Sequence, residues 1–596
     1  MNTAMKALAV GESDFKKIIT GNFYYVDKSL FIKEIIDRGD LIILIPRPRR
    51  FGKTLNISML KYYYDCCPET LPPLSAAAAT TAAPADPGNQ PPGTPGAPRT
   101  DNPNKSLFNS LAIENAGEKY LEKMGKYPVI FLTFKDVKDP DWETCFFKIK
   151  QLIQKEYLRH DYLLDDKTLK PQEAKYFKRI IDLEGNKGEY ESSLEYLLIF
   201  LNRYYGQRVV ILIDEYDAPV HAGFNNGYYD EIISFTRNFL SGGLKDTGQY
   251  LEKSVITGIM RIARESIFSG LNNPGVFTLL AEEFDDKFGF TEKEVEKMLK
   301  DFNVFHMYDQ VQQWYNGYTF GKETIYNPWS IINFLSSESK EFQPYWINTS
   351  DNRIVETLLT KEGKELKEEL EQLVQGQSVE KVIEDDIVLK DVITRENLLW
   401  SFLLMGGYLK PSAKRRDDVA DKVYYSLSIP NREVRITYTR IIESYFTSKI
   451  ENKKLEIMLK ALIEGDIEVF EEIFSEYVAA SMSFFDVAGD PEKVYHAFVM
   501  GLLLWLAPAY RVKSNRESGY GRYDIMIVPG DVSKLGYIIE FKKTRKNETV
   551  ETAAKSALKQ IEDKKYETEL LESGISNIKK LAIVFNGKDV FVKEKK

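Results

Sequence analysis

The stretch LIILIPRPRRFGKTLNISML (Leu41–Leu60) decides how the first half of this chain is read. Leu41–Pro46 is a short apolar run rich in isoleucine, the pattern of a strand buried on both faces. Gly52-Lys53-Thr54 then opens a helical pattern. Strand, turn and helix joined by Gly-Lys-Thr match the tail of a phosphate-binding P-loop. There the lysine reaches the β- and γ-phosphates, the threonine hydroxyl binds magnesium, and the helix N-terminus faces the anion. The head of the loop departs from that pattern. The motif asks for glycine five residues before Gly52, where Arg47 stands, and Pro48 removes a backbone donor. Arg47, Arg49 and Arg50 add positive charge that can grip phosphate. The competing reading is a Gly-Lys-Thr with no nucleotide role.

A second stretch strengthens the nucleotide reading. The apolar run Val209–Ile213 ends in Asp214-Glu215-Tyr216-Asp217. A carboxylate closing a buried strand is the Walker B arrangement. Asp214 would hold magnesium, directly or through water, and Glu215 would orient the attacking water. The bland alternative is a loop of solvated acids. Further on, Thr257 ends the strand pattern Ser254–Gly258, close to Arg261 and Arg264. These are candidates for sensing the γ-phosphate or for neutralising charge, and equally candidates for surface ion pairs. Pro128–Phe134 and Val276–Leu280 supply further strands. Helical patterns lie between them, which predicts a parallel sheet with crossover helices and a ligand at the strands' carboxyl ends.

Composition sets the frame. A chain of 596 residues exceeds one hydrophobic core, and 43% hydrophobic with 28% charged residues is ordinary for a globular protein. The net charge of -9 argues against a general nucleic-acid coat but leaves room for a local basic face. Cys66 and Cys67 are adjacent and cannot easily bridge, so no disulfide framework is expected. The four histidines are scattered, without zinc spacing. The first residues carry no signal-peptide apolar stretch, and the longest apolar run, Phe498–Leu506, is too short to span a membrane. A reducing, cytoplasmic location and no membrane partner are the expectation. Residues 71–104 are rich in Ala, Pro, Gly and Thr, a composition that predicts a disordered insert.

The C-terminal segment carries a second constellation. Arg522-Tyr523-Asp524 leads into an apolar strand. A turn at Pro529–Gly530 follows, and a second strand closes in Glu540-Phe541-Lys542. Phosphodiester hydrolysis needs a divalent metal held by carboxylates and a nearby lysine to stabilise developing charge. A hairpin with Asp524 on one strand and Glu540 on its neighbour would bring both acids to one metal. Glu540 and Lys542, two apart, share a face. Glu-x-Lys recurs at Glu338/Lys340, Glu362/Lys364 and Glu451/Lys453, but only the copy at Glu540 closes an apolar strand after a strand-associated acid. A surface hairpin with an ion pair is the alternative. Arg511, Lys513, Arg516, Arg522, Lys543, Arg545 and Lys546 surround the acids, as a polyanionic substrate would require. Gln560 and Tyr566 lie on the next helical stretch, and His496 reads as a core histidine.

With these residues in view, the chain resembles a family that pairs an AAA-ATPase-like domain with a PD-(D/E)xK nuclease domain. The carriers are YYVDKSLFIKEII (Tyr24–Ile36), RPRRFGKTLNISML (Arg47–Leu60), KYPVIFLTFKD (Lys126–Asp136), ILIDEYDAPV (Ile211–Val220), TGIMRIARESIFSGLNN (Thr257–Asn273), WYNGYTFG (Trp314–Gly321), YNPWSI (Tyr326–Ile331), SNRESGYGRYDIMIVP (Ser514–Pro529) and IIEFKK (Ile538–Lys543). The resemblance covers nearly the whole chain outside the insert, and the arginine-headed loop looks like the family's own pattern. It implies an α/β protein: a P-loop (ASCE/AAA-like) parallel sheet, then a restriction-endonuclease-like α/β fold. Gly52, Lys53, Thr54, Asp214 and Glu215 would form the nucleotide site, and Asp524, Glu540 and Lys542 the nuclease site.

The resulting expectations are as follows. Residues 1–340 form the ATPase-like domain, 341–486 a helical middle region, and 487–596 the nuclease-like domain. ATP binds through Arg47, Arg50, Gly52, Lys53, Thr54 and Asp214. Mg2+ is held by Thr54 and Asp214 at one site and by Asp524 and Glu540 at the other. Glu215 and Lys542 complete the catalytic set. The partner is nucleic acid, DNA by preference, and self-association into a homo-oligomer is left open. The rival function is an ATP-dependent binding switch in which one or both sites are inactive.

Overall fold

The structure is a computed structural model that describes residues 6–66, 104–165, 168–262, 274–346 and, with short gaps, 369–438, 452–481 and 499–595. The chain divides into two units. The first comprises Met1–Ile354 and Ser378–Arg435, the second Val355–Gln377 and Ile436–Lys596.

The first unit is built on five strands: β1 (Ile42–Pro46), β2 (Val129–Thr133), β3 (Val209–Asp214), β4 (Leu251–Gly258) and β5 (Gly275–Val276). They lie in the order β2-β3-β4-β1-β5, and every pair is parallel. Both β1 and β3 are buried along their whole length, which is why they read as unbroken apolar runs rather than alternating ones. Inserting β4 between β1 and β3 brings the ends of three strands together: Pro46, Asp214 and Gly258 with its neighbour Thr257. The helix Lys53–Tyr64 follows β1 directly and carries Gly52 at its N-cap. This is the parallel sheet with crossover helices expected from the sequence.

Three shorter strands, β6 (Phe290–Thr291), β7 (Tyr318–Phe320) and β8 (Glu323–Tyr326), form an antiparallel sheet in the order β6-β8-β7. Next come β9 (Val379–Val382), β10 (Lys410–Asp417) and β11 (Lys422–Ser428), an antiparallel sheet in the order β10-β11-β9. These three strands correct the expectation of a helical middle region. The charges of KPSAKRRD (Lys410–Asp417) line an exposed hairpin strand. Arg415 pairs with Glu380 across the sheet at 2.7 Å, and its guanidinium covers the ring of Tyr424. A strand exposed on one face and dense in charge has no apolar alternation to betray it. Helices Asn452–Glu464 and Ile467–Ser481, in the second unit, agree with the helical reading there. The Ala/Pro-rich insert up to residue 103, most of the pattern Val355–Leu373 and most of Val494–Leu506 lie outside the described residues.

The second unit has the strands β12 (Tyr510–Ser514), β13 (Glu517–Ser518), β14 (Gly521–Arg522), β15 (Ile525–Pro529), β16 (Gly536–Lys543), β17 (Ile578–Asn586) and β18 (Asp589–Glu594). Five of them form one mixed sheet, β12-β15-β16-β17-β18, in which only β16 and β17 are parallel. The crossover between those two carries the helix Val550–Asp563. Side-chain alternation divides the sheet cleanly. Ile525, Ile527, Tyr537, Ile539 and Phe541 pack with Leu455, Leu462, Phe470 and Phe474 on one face. Met526, Val528 and Ile538 pack with Ile561, Tyr566 and Leu570 on the other.

Candidate functional site

The loop after β1 gets its shape from two left-handed residues, Arg50 at φ 68° and Gly52 at φ 83°. A Cβ on Gly52 would meet nothing within 4 Å, so the residue is set by its backbone conformation and not by crowding. Lys53 begins the helix, and its ammonium turns back into the loop. Nζ donates to the carbonyls of Arg47 at 3.0 Å and Pro48 at 2.9 Å, with the residue only 3% exposed. Burial pulls its pKa down, opposed by the nearby carboxylates of Glu215, Asp214 and Asp217.

Asp214 closes β3 and is the centre of the cluster. Its Oδ2 accepts from the hydroxyls of Thr54 at 2.8 Å and Thr133 at 3.1 Å, and its Oδ1 from Thr257 at 2.8 Å. Each threonine comes from a different element: the helix after the loop, the end of β2, and the end of β4. Asp214 is fully buried, and burial with the neighbouring Glu215 raises its pKa against the donors Thr54 and Thr257. Glu215 sits at φ 50°, a left-handed conformation that is costly for a residue with a Cβ and tends to mark functional turns. Lys53, Thr54, Asp214 and Glu215 are thus brought together.

The other arginines separate. Arg47, expected to grip phosphate, is fully buried and turned inward. Its guanidinium donates to the carbonyls of Pro46 at 2.9 Å and Phe277 at 2.7 Å, and lies over the rings of Phe288 and Phe320. Burial lowers its pKa to about 9. It fastens the loop to the segment after β5, a structural role in place of the expected one. Arg50 remains partly accessible. Its guanidinium stacks over the indole of Trp329 at 4.2 Å and lies in the field of Glu215. Thr257, read as a γ-phosphate sensor, is bound to Asp214. The segment that carries Arg261 is gripped by the motif after β3. Tyr216 donates to the carbonyl of Met260 at 2.7 Å and accepts from the amide of Ile262, and Asp217 accepts from the amides of Ile259 and Met260. Arg264 lies outside the described residues. Sequence reasoning missed Thr133 and Trp329; the first was legible as the hydroxyl ending an apolar strand, the second only through its partner.

In the second unit, Ile525 pairs with Ile539 across the antiparallel β15–β16 ladder. Asp524 immediately precedes β15, and Glu540 follows Ile539 on β16, so the end of the ladder brings the two acids near each other, both in the field of the Tyr566 hydroxyl. The Oδ2 of Asp524 accepts from the amide of Phe541 at 2.8 Å. Glu540 is 2% exposed, its Oε1 accepting from Lys542 Nζ at 3.1 Å and from the Gln560 amide. Gln560, on the helix Val550–Asp563, also reaches the Tyr566 hydroxyl at 3.3 Å. Burial raises the Tyr566 pKa; Gln560 and Lys542 oppose the shift, while Glu540 and Asp524 add to it. Asp524, Glu540, Lys542, Gln560 and Tyr566 therefore form one cluster. A surface ion pair would leave both partners in water; here the carboxylate is buried and bound from two elements. Among the described residues no three His, Cys, Asp or Glu side chains converge on one point. The donor set fits a hard divalent cation that takes two carboxylates and completes its shell with water or backbone oxygen, as Mg2+ does.

Comparison with known proteins finds a family model over part of each region. Residues 9–71 and 98–268 match the family model described as Predicted AAA-ATPase, and residues 490–595 match the PD-(D/E)XK nuclease superfamily. A relative, described as an uncharacterized protein in the vnfD 5′ region of Azotobacter chroococcum mcd 1, is 24% identical over 568 residues. The alignment covers 94% of this chain and 93% of the relative. No solved structure matches the chain. The family models thus find a predicted AAA-ATPase domain in the N-terminal region and a PD-(D/E)XK nuclease superfamily domain at the C-terminus.

Proposed function

We propose that this protein binds ATP with Mg2+ in its first unit and hydrolyses phosphodiester bonds of nucleic acid, DNA by preference, in its second, with the nucleotide state governing cleavage. The observation that carries the nuclease half is the gathering of Asp524, bound to the amide of Phe541, with buried Glu540 and its partner Lys542 at the end of the β15–β16 ladder. A divalent metal bound there supplies charge neutralisation and lowers the pKa of an attacking water. Asp524 and Glu540 would be its two anionic ligands. Lys542 supplies a positive charge toward the scissile phosphate, and Gln560 fixes Glu540 in place. The surrounding lysines and arginines hold the polyanion without reading its sequence.

The ATP half rests on the bond between Thr54 and Asp214, which joins the P-loop helix to the acid of β3. Lys53 Nζ holds two loop carbonyls, a pair of bonds that phosphate oxygens can replace. Glu215 faces the same space and is the candidate for orienting water. No helix among the described residues is long and apolar enough to cross a membrane; action in the cytoplasm is part of the proposal.

The test is a cleavage assay on single- and double-stranded DNA and RNA with Mg2+ or Mn2+, with and without ATP. Metal-dependent cleavage that Glu540→Ala abolishes, and an ATP effect that Lys53→Ala removes, are expected. Cleavage that persists in Glu540→Ala refutes the nuclease assignment.

A further inference from the structure

The residues that hold the head of the P-loop converge on one carboxylate outside it. Trp346 donates from its indole Nε1 to the carbonyl of Arg49 at 3.3 Å. Trp329 presents its ring to the guanidinium of Arg50. Both tryptophans are positioned by Glu433. Its Oε1 accepts from the backbone amide of Trp346 at 2.6 Å, and its Oε2 accepts at 2.8 Å from the hydroxyl of Ser330, the residue after Trp329 on the helix Pro328–Ser336. Glu433 is fully buried. Other contacts tie the same neighbourhood to the loop. A Cβ on Gly407 would come within 2.9 Å of Pro48, and Phe51 packs edge-on against Tyr318. The loop lacks the glycine backbone that normally shapes its head. Beside its own left-handed Arg50 and Gly52, it is braced from outside by residues more than 260 positions away in sequence.

We propose that Glu433 is a positioning residue for nucleotide binding: through Trp346 and Ser330 it sets the contacts that hold Arg49 and Arg50 in the phosphate-ready loop. The proposal rests on the reading of this loop as the ATP site. Burial pushes the Glu433 carboxyl up to about 7, against the hydrogen bonds from Trp346 and Ser330. The neutral form is therefore within reach at neutral pH, and glutamine, its neutral isostere, can keep the acceptor that Trp346 uses. Titratable groups in its field among the described residues include the hydroxyls of Tyr315, Tyr318 and Tyr345, all shifted upward by burial and so protonated at neutral pH.

The experiment measures Mg-ATP affinity by calorimetry on the full chain, together with hydrogen exchange of the loop amides Arg49–Gly52. Glu433→Ala should weaken ATP about 10-fold and raise exchange of those amides, whereas Glu433→Gln should stay within about 3-fold of wild type. Trp346→Phe, which keeps an aromatic ring but deletes the indole donor to Arg49, should reproduce a several-fold loss and covers the case in which Glu433→Ala does not fold. Wild-type affinity in Glu433→Ala, or in Trp346→Phe should the alanine variant not fold, overturns the proposal while wild type binds ATP and Lys53→Ala does not. If wild type and Lys53→Ala behave alike, the ATP site itself has been misassigned and the proposal falls with it.

Discussion

Replacing Asp214 by asparagine should separate the stability of the first unit from its response to nucleotide. Asp214 is fully buried and its pKa is raised, so its charged form costs the fold energy at neutral pH. A group whose folded pKa lies above its unfolded value favours the fold at low pH and loses that contribution as pH rises through the folded pKa. Asparagine does not titrate. The nucleotide-free variant should therefore match or exceed wild type near neutrality, with the gap closing as pH falls toward the ordinary carboxyl value of 3.8. Nucleotide binding should move the other way. The Thr54 hydroxyl bond to a charged acceptor is worth about 1.5–3 kcal/mol, or roughly 10- to 150-fold in affinity. A ligand at 100 times its Kd adds about 2.7 kcal/mol, which for a unit of about 400 residues is a rise of about 3 °C in melting temperature. The variant at the same ligand concentration should rise by about 1 °C. Differential scanning fluorimetry with and without Mg-ATP, at several pH values, reads both effects. A full wild-type shift in Asp214→Asn would refute the placing of this carboxylate at the nucleotide's metal.

Other outcomes follow from the same geometry. Glu540→Gln should lower metal-dependent cleavage at least ~100-fold with nucleic-acid binding retained, since the basic surroundings are untouched; parallel cleavage and gel-shift assays check this. Asp217→Ala leaves the amides of Ile259 and Met260 without their acceptor and should cost about 3 kcal/mol in chemical denaturation. Burial raises the Asp217 pKa, but the His221 side chain and those amides outweigh it and the net shift is downward. Its contribution should thus be present above the ordinary value of 3.8 and fade as pH falls through the lowered value, which acid unfolding of wild type and variant compares. Gly407→Ala places a Cβ at φ 85° and 2.9 Å from Pro48; about 2–3 kcal/mol of destabilisation and weaker ATP binding are expected in melting and calorimetry.

The strands that carry the sites were legible because each is buried on both faces or ends in a charged residue. β1, β3 and β16 announce themselves by apolar runs that stop at Arg47, at Asp214-Glu215 and at Glu540. β10 and β11 did not, because an exposed hairpin has no apolar period. Arg47 was misjudged for a related reason: charge in a sequence reads as solvent-facing or ligand-facing, and nothing local tells that Phe288, Phe320 and the carbonyls of Pro46, Phe277, Glu283 and Phe284 will enclose it. Glu433 had no motif at all.

Sequence by itself determined the elements and the chemistry at their ends, because buried strands need apolar side chains and a carboxylate or Gly-Lys-Thr at a strand's end is a local pattern. Tertiary structure alone decided the company each group keeps. The order β3-β4-β1 brings three threonines to one aspartate, the end of the β15–β16 ladder binds Asp524 to the residue after Glu540, and distant tryptophans shape the loop. Those contacts join residues far apart along the chain. Strand order, ladder register and packing create them, and none of the three is a property of a local stretch of sequence.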